Sequence, residues 1–493
     1  MSFRKSRLLI IMERSLPKQN YLLWLVVIAL FGTIIAWQIS YDLQFSLIIL
    51  CAISIWFLKP EMVIGLVVLF MINFWGLIEF SRTFASIKLP IGTINFGDLI
   101  FGLTLLYTFI KLPWRRDLKI SQTQLNVPLY LFFVYLGFQI IRALFFIGED
   151  FQIVFRIARP MGYYLLFFSL TSSIQSKKAL DKALKYICII VLISIIIVLY
   201  QVYTGTSFHV GTGNVRFVED YGLYRPRSES LMLIDAWIIV AFYLFYTHRK
   251  AFMKIFYLIN FLVAAIPLMF SLTRSVWISS ISVIIVGMVA LSKTTNLVKT
   301  VSIAAIVSLL ILSFSIQKIS TFLPLEAFTQ RFVSAREEVT YKSGSYGGRT
   351  RIFSVQWEMT KAKSLLLGAG LSYYGQKRLG SESRFSWFSY ASHGADNGLS
   401  YLIMRLGLIG VAIFIWIFYR YYKIALRAYL NIRNPFYKSL ILGGMAINFV
   451  MLATLFFSNR LFQPSTLIVL LISWAFTVKI DELLGHPQEH RDA

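Results

Sequence analysis

Cysteine is almost missing from this chain. Its two thiols, Cys51 and Cys188, both lie inside apolar runs of a 493-residue sequence. That pattern excludes a disulfide framework and a metal–thiolate site. Acidic residues are scarce as well: 23 Asp and Glu stand against 48 Lys and Arg, a formal net charge of +25. No G-x-x-x-x-G-K-[ST] phosphate loop occurs, so ATP-driven transport by this chain alone is not expected. There is no obvious short repeat. No cleavable signal peptide is expected either. The start is basic (Arg4, Lys5, Arg7, Arg14, Lys18), but the apolar run that follows is long enough to stay in a membrane.

What the chain does have is apolar length. Hydrophobic residues make up 57% and mean hydropathy is +0.69, against roughly 45–50% apolar in soluble domains. Many runs reach the ~17 mostly apolar residues that a membrane-crossing helix needs. They are continuous and do not alternate, which argues against a transmembrane β-barrel. Aromatics reach 16%, consistent with Phe in the lipid zone and Tyr and Trp at the headgroups. We therefore expect an all-α integral membrane protein, a polytopic bundle of about 14 transmembrane helices. The spans fall near 21–37, 43–58, 62–80, 97–112, 128–147, 155–172, 184–203, 231–246, 252–270, 274–291, 298–315, 398–421, 438–457 and 463–479. The sixth is the least regular, because Arg156, Arg159 and Pro160 sit in it.

The excess charge has a place in this scheme. Lys and Arg fall in alternate short loops: Lys111 to Lys119, Lys177 to Lys182, Arg249 to Lys254, Lys293 and Lys299, and Arg420 to Lys438. The stretches near 38–42, 148–151 and 271–273 carry none. The positive-inside rule then puts the N-terminus in the cytoplasm. Nucleic acid is not an expected partner; the lipid bilayer is. The expected organisation is a cytoplasmic segment at 1–20, spans one to eleven across 21–316 with an outside loop at 204–230, a large outside loop at 317–397, spans twelve to fourteen across 398–479, and a cytoplasmic tail at 480–493.

Candidate functional residues gather at the outer boundary. Arg274 lies at the outer end of a span, where a topology-setting arginine is not expected, and an arginine within a span usually faces a cavity or a partner. Arg142, Arg156, Arg159 and Arg460 fall at similar depth. Taken singly each reads as structural; together they suggest an electropositive pocket, since guanidinium groups match phosphate oxygens in a bidentate fork. Arg225 and Arg227 in the 204–230 loop are further candidates for it, although a mixed-charge loop is more often only solvated. In the large loop, 349–367 reads as a helix ended by Gly368-Ala369-Gly370. Arg349 and Arg351 stand at its start, where free N–H groups favour anions, although arginine is slightly disfavoured there by the helix dipole. His393, Asp396 and Asn397 directly precede the next span. They read equally as a base placed at the membrane boundary or as a helix N-cap.

Three segments carry a resemblance. Ser271-Leu272-Thr273-Arg274-Ser275-Val276-Trp277 is similar to a Ser-Arg-containing span of the O-antigen ligase and O-antigen polymerase (Wzy-like) superfamily of bacterial envelope glycosyltransferases. Gly348-Arg349 with Phe353, Met359 and Gly368-Ala369-Gly370 resembles its Gly-Arg…Trp…Pro-Leu-Leu-Gly-x-Gly pattern. Asp396-Asn397 through Gly407-Leu408-Ile409-Gly410 resembles its His-Asn…Gly-Ile-Ile-Gly pattern. The match covers about 270–410. Departures are Phe353 at the tryptophan position, with Trp357 one turn later, Leu365 at the proline position, and Asp396 at the histidine position, with His393 three residues earlier.

The resemblance implies a GT-C-like glycosyltransferase in the bacterial inner membrane, with its active site facing the periplasm and no cofactor or metal. The implied substrates are an undecaprenyl-pyrophosphate-linked oligosaccharide and an acceptor glycan. Flippase and chain-length regulator proteins are implied partners. Arg274 and Arg349, with Arg351 as a rival for the second, would hold the pyrophosphate; His393 or Asp396 would act as base. Polymerisation of repeat units into O-antigen or exopolysaccharide is the leading expectation, and ligation to lipid A–core or another acceptor the alternative. Transport of the lipid-linked oligosaccharide is the competing reading outside enzymes. It would call for charges near the bilayer midplane and a broken-helix repeat.

Overall fold

The computed structural model describes residues 62, 64, 67, 87–89, 92–94, 98, 101–108, 122–204, 215–218, 223–226, 231–270, 353, 354, 356–372, 398–455 and 460–485. Helix dominates these residues. Helix α1 runs Asn126–Ile141 and ends in a π turn, Arg142–Phe146; α2 runs Phe151–Gly162 and α3 Leu166–Ser173, joined by a 3₁₀ turn at Tyr163–Leu165. Then come α4, Lys177–Thr204; α5, Leu231–Thr247; and α6, Ala251–Phe270. The last three are α7, Gly398–Asn431; α8, Pro435–Thr454; and α9, Pro464–Leu484.

Six of these helical stretches are long and apolar enough to cross a membrane: Asn126–Phe146, Phe151–Ser173, Lys177–Gln201, Ala251–Leu268, Gly398–Asn431 and Pro435–Thr454. Leu233–Thr247 is a shorter apolar helix. The protein is thus a multi-pass, predominantly helical membrane protein. The irregular sixth stretch is helical throughout, with its 3₁₀ turn beginning three residues after Pro160. A proline removes one backbone donor and crowds the preceding turn, and a tightened turn takes up such a change. The expected spans at 21–37, 43–58, 274–291 and 298–315 lie outside the described residues, as does most of the large loop.

Two small antiparallel hairpins were not anticipated. Strands β1, Ile87–Leu89, and β2, Gly92–Ile94, form one. Strands β3, Val215–Val218, and β4, Leu223–Pro226, form the other inside the expected 204–230 loop, with Arg216 opposite Arg225 in its register. Strand β4 packs against α4 and α6. Helix α5 begins just after β4 and turns back into α6 through a short connection, so the end of α6 that β4 can reach is the Phe270 end. The hairpin therefore lies beside the Phe270 end of α6.

The core is aromatic where α1, α2–α3, α7 and α9 meet. Phe132, Tyr164 and Phe414 make mutual edge-to-face contacts at 5.1–5.6 Å, and Trp474 stands against Tyr164, Phe167, Phe418 and Tyr421. Such pairs add about 0.5–1.5 kcal/mol each beyond their area. Helix α8 approaches closely through Gly443-Gly444. A Cβ at Gly443 would meet Val240 of α5 at 3.1 Å, and one at Gly444 would lie 2.6 Å from the Tyr421 hydroxyl. Small residues let membrane helices approach in this way.

Polar side chains link α8 and α9 within this core. The Trp474 Nε1–H donates to Asn448 Oδ1 at 2.6 Å, and Asn448 Nδ2 donates to the Gly444 carbonyl at 2.7 Å and to Ser473 Oγ at 3.0 Å. Far along the same helices, Arg427 pairs with Asp481, and the Tyr437 hydroxyl donates to Asp181 of α4. Asn448→Leu leaves the buried Trp474 donor without its acceptor. It should lower stability by about 1–2 kcal/mol, seen as a reduced thermal unfolding midpoint of the detergent-solubilised protein; an unchanged midpoint would contradict this account of the core.

Candidate functional site

Helix α7 is interrupted near its start. Gly407 sits at φ +66 and ψ −171, breaking the helix into a first part, Gly398–Leu406, and a longer second part from Leu408. A break leaves carbonyls on one side and N–H groups on the other without helical partners. Here the segment 365–370 supplies them. Leu408 N donates to the Leu365 carbonyl at 3.0 Å and Ile409 N to the Leu366 carbonyl at 3.3 Å. In the other direction, Ala369 N and Gly370 N donate to the Met404 carbonyl at 2.7 and 3.3 Å. The Leu406 carbonyl accepts from the Tyr135 hydroxyl at 2.6 Å.

Only glycine fits at the contact. Gly368 and Gly407 both have positive φ, +73 and +66, a region costly for other L-residues. A Cβ on Gly407 would run into the Leu366 carbonyl oxygen and stand 2.5 Å from Gly368 N; one on Gly368 would stand 2.7 Å from Gly407 N and from the Met404 oxygen. The two glycine motifs of the sequence thus meet each other in space, backbone against backbone.

Two arginines bracket this contact. From α1 and its π turn, Gln139 Nε2 donates to the Tyr135 hydroxyl at 2.7 Å and to the Leu367 carbonyl at 2.9 Å. Arg142 Nη1 donates to Leu367 O at 3.0 Å and to Gln139 Oε1 at 3.2 Å, and its Nη2 to Gly368 O at 3.1 Å. From α7, Arg405 Nη1 donates to the Ser372 carbonyl at 2.5 Å and to Gly370 O at 3.3 Å, with its guanidinium 5.3 Å from the Tyr401 ring centroid. Arg405 is 1% exposed and Gln139 fully buried.

The helical residues 353, 354 and 356–361 dock on the same half-helix. Gln356 is fully buried and its Oε1 accepts a hydrogen bond from Ser400 Oγ in the first turn of α7. Phe353 and Trp357 stack at 6.3 Å between ring centroids, so the departure from the family's tryptophan position leaves an aromatic pair there. The helix ends at Lys361, short of the expected 367, and turns carry the chain on to the glycines: Ser364 Oγ accepts from Leu367 N at 3.1 Å, and Gly368 N donates to Ser364 O at 2.8 Å.

The expected site residues divide accordingly. Arg274, Arg349, Arg351, His393, Asp396, Asn397 and Arg227 lie outside the described residues. Arg349 and Arg351 precede the docked helix, and His393, Asp396 and Asn397 precede α7. Arg142 is at the glycine contact, directed at backbone carbonyls. Arg159 pairs with Asp98 at 2.9 Å, and Asp98 also accepts from the Tyr163 hydroxyl at 2.5 Å. Arg156 is exposed on α2. Arg225 stands on β4 opposite Arg216, and Arg460 opens a 3₁₀ turn, Arg460–Phe462, beside α9. Sequence reasoning passed over Arg405, Gln139 and Tyr135. For Arg405 the signal was available, since a charge so close to a long apolar run is unusual.

Gly407→Ala should disrupt the contact through its backbone, because alanine is strained at this φ and its methyl group meets the Leu366 carbonyl. A loss of at least about 1–2 kcal/mol is expected, measured by thermal unfolding. Gly102→Ala, where an added Cβ meets nothing within 4 Å, is the control and should leave the midpoint unchanged.

Known families bear on this site. No curated protein matches the chain at a meaningful level. Residues 259–415 do match a family model, that of O-antigen ligase (Wzy_C). The matched stretch contains α6 from residue 259, the docked helix, both glycine motifs and the broken first part of α7. It is about a third of the 493-residue chain, and it supports placing this protein in an O-antigen ligase/polymerase-like family.

Proposed function

We propose that this protein is a metal-independent glycosyltransferase of the inner membrane that polymerises undecaprenyl-pyrophosphate-linked oligosaccharide units into O-antigen or exopolysaccharide at the periplasmic face. The observation that carries the reading is the docking of the loop's residues 356–372 on the half-helix into which the loop itself leads. The helix that follows Arg349 and Arg351 is hydrogen-bonded through Gln356 to Ser400, and Ser400 follows His393 and Asp396 by a short stretch of chain. Phosphate-binding and base candidates, far apart in the loop, thus lead into neighbouring turns.

In this reading Arg274 and Arg349, with Arg351 as the rival, hold the pyrophosphate and stabilise the charge that develops as it departs. A polyprenyl pyrophosphate is already an activated leaving group, and fixed guanidinium groups take the place of a cation. His393 or Asp396 removes the proton from the acceptor hydroxyl. The acceptor oxygen then forms its bond to the anomeric carbon as the bond from that carbon to the phosphate oxygen breaks. Undecaprenyl pyrophosphate leaves with the electron pair. Arg225, Arg227, Arg156, Arg460 and Asn397 are assigned to the substrate pocket in this reading. Arg142 and Arg159, read from the sequence as pocket residues, are engaged with backbone carbonyls and with Asp98.

The test uses purified protein in lipid nanodiscs with a lipid-linked oligosaccharide. Arg274→Ala and Arg349→Ala should each reduce release of undecaprenyl pyrophosphate by about 10²–10³-fold. Of His393→Ala and Asp396→Ala, the one that removes the base should do the same. Full activity in both arginine variants would sink the proposal. A ladder of products identifies a polymerase; a single transfer to an added acceptor identifies a ligase.

A further inference from the structure

On α7, α8 and α9 the cations at one end of the bundle are largely answered by the protein itself. Arg427 pairs with Asp481 and Lys479 with Glu482, while Arg420 lies over the Trp416 ring and Lys438 over the Tyr429 ring. The start of α4 and the turn from α5 into α6 differ. Residues 177–185 and 248–257 hold seven Lys and Arg against one acid, Asp181, and that carboxylate accepts from the Tyr437 hydroxyl. Lys177, Lys178, Lys185, Arg249 and Lys250 are exposed, and the ion pairs among the described residues involve none of them.

The two stretches lie at the same end of the fold. Tyr437, which reaches Asp181 of α4, is followed by Lys438, whose Nζ is 5.1 Å from the Tyr429 ring centroid. Tyr429 in turn faces Tyr243, one turn before the end of α5, with centroids 6.5 Å apart. Helices α4 and α6 also pack against each other, with Tyr257 of α6 within electrostatic reach of Cys188 of α4. Cys188 is three residues past Lys185 and Tyr257 three past Lys254, so the two sets of cations stand at one level.

That level is the membrane boundary, because the apolar spans of these helices begin at Lys177 and Ala251. Immediately inside it both helices turn apolar side chains outward. Lys185, Ile189, Leu192 and Ile196 follow one another at helical spacing and share a face of α4, and all four are exposed. On α6, Phe252 is 77% exposed, and Ile255 and Phe256 are exposed behind it. A soluble acidic partner would meet the cations but not the apolar rows beneath them. A phospholipid meets both, its phosphate at the boundary and its acyl chains along the helices.

We propose that the starts of α4 and α6 form a binding site for an anionic phospholipid carrying two phosphates, of the cardiolipin type. Packed helices stand roughly 8–10 Å apart, a distance that two phosphodiesters joined through one glycerol span with the reach of a lysine on each side. Lys185 on α4 and Lys250 at the α5–α6 turn take one phosphate each. Both helices begin here, so their dipoles add to the positive potential. The site is separate from the chemistry assigned to Arg274 and Arg349 and does not depend on it.

The test is native mass spectrometry of the full chain in detergent, titrated with cardiolipin, phosphatidylglycerol or phosphatidylcholine. Cardiolipin should bind tightest and phosphatidylcholine weakest. Each cation near the surface contributes about fivefold, so Lys185→Gln with Lys250→Gln should weaken cardiolipin binding about twenty-five-fold. The control pair removes the same charge from the same end of the bundle: Lys423→Gln with Arg433→Gln, both exposed, should change binding by less than about twofold. An equal loss in both pairs, the mark of diffuse surface charge, would overturn the site. So would an undiminished affinity in the first pair, or no preference for cardiolipin over phosphatidylcholine. Displacement of bound cardiolipin by soluble glycerol phosphate would show a site for the anion alone and overturn the assignment to lipid. Should the double variant not accumulate as folded protein, Lys185→Gln and Lys250→Gln singly decide it, each expected to lose about fivefold.

Discussion

Where a helix stops inside a membrane protein, its free backbone groups must find partners, because hydrocarbon offers none. At Gly407 they find them in 365–370, and that exchange of hydrogen bonds organises the surrounding structure. Tyr135 joins from α1 through the Leu406 carbonyl, Gln139 and Arg142 through Leu367 and Gly368, and Arg405 through Gly370 and Ser372. The contact works at backbone distance, which is why both sides need glycine: any side chain at 368 or 407 would separate the two segments. It also ties together parts of the chain more than two hundred residues apart in sequence, Tyr135 and Leu406 being separated by 271 positions.

Three of the described arginines form one group, and those proposed to bind anion form another. Arg142, Arg159 and Arg405 are turned toward carbonyls or toward Asp98. Each is engaged with the protein itself, and each stiffens the frame around the glycine contact or the end of α2. The arginines assigned to anion binding, Arg274 and Arg349, belong to the matched O-antigen ligase-type segment. In the proposed reaction the first group holds the frame while the second meets the substrate. A guanidinium serves both tasks because it is planar, permanently charged and forked; a lysine would suit neither equally.

Much of the fold could be read from the residues. Apolar runs located the helices at 126–204, 231–270 and 398–484, because burial in lipid demands length and hydrophobicity that leave a plain trace. Gly368-Ala369-Gly370 was read as a helix stop, but the helix already ends at Lys361 and the glycines instead make the backbone contact with α7. The hairpin with Arg216 opposite Arg225 was not foreseen, since short strands in a polar loop carry little periodicity. Arg142 and Arg159 were placed in a pocket on depth alone; depth does not say whether a guanidinium faces a carbonyl, a carboxylate or open space. Gln139 and Tyr135 gave no sequence signal, being ordinary members of an apolar helix until α7 is laid beside them.

The amino-acid sequence by itself determined that this is a multi-pass helical membrane protein, and it identified the glycine and arginine motifs that resemble the O-antigen ligase and polymerase superfamily. Hydrophobic length and local turn chemistry are local properties, so a single chain displays them without its fold. Only the tertiary structure decided that the two glycine motifs are halves of one contact, that Arg142 and Arg405 bond the carbonyls along it, and that the helix after Arg349 docks beside the helix after His393 and Asp396. Those facts depend on which backbone groups are left without partners at a break and on what lies near enough to supply them.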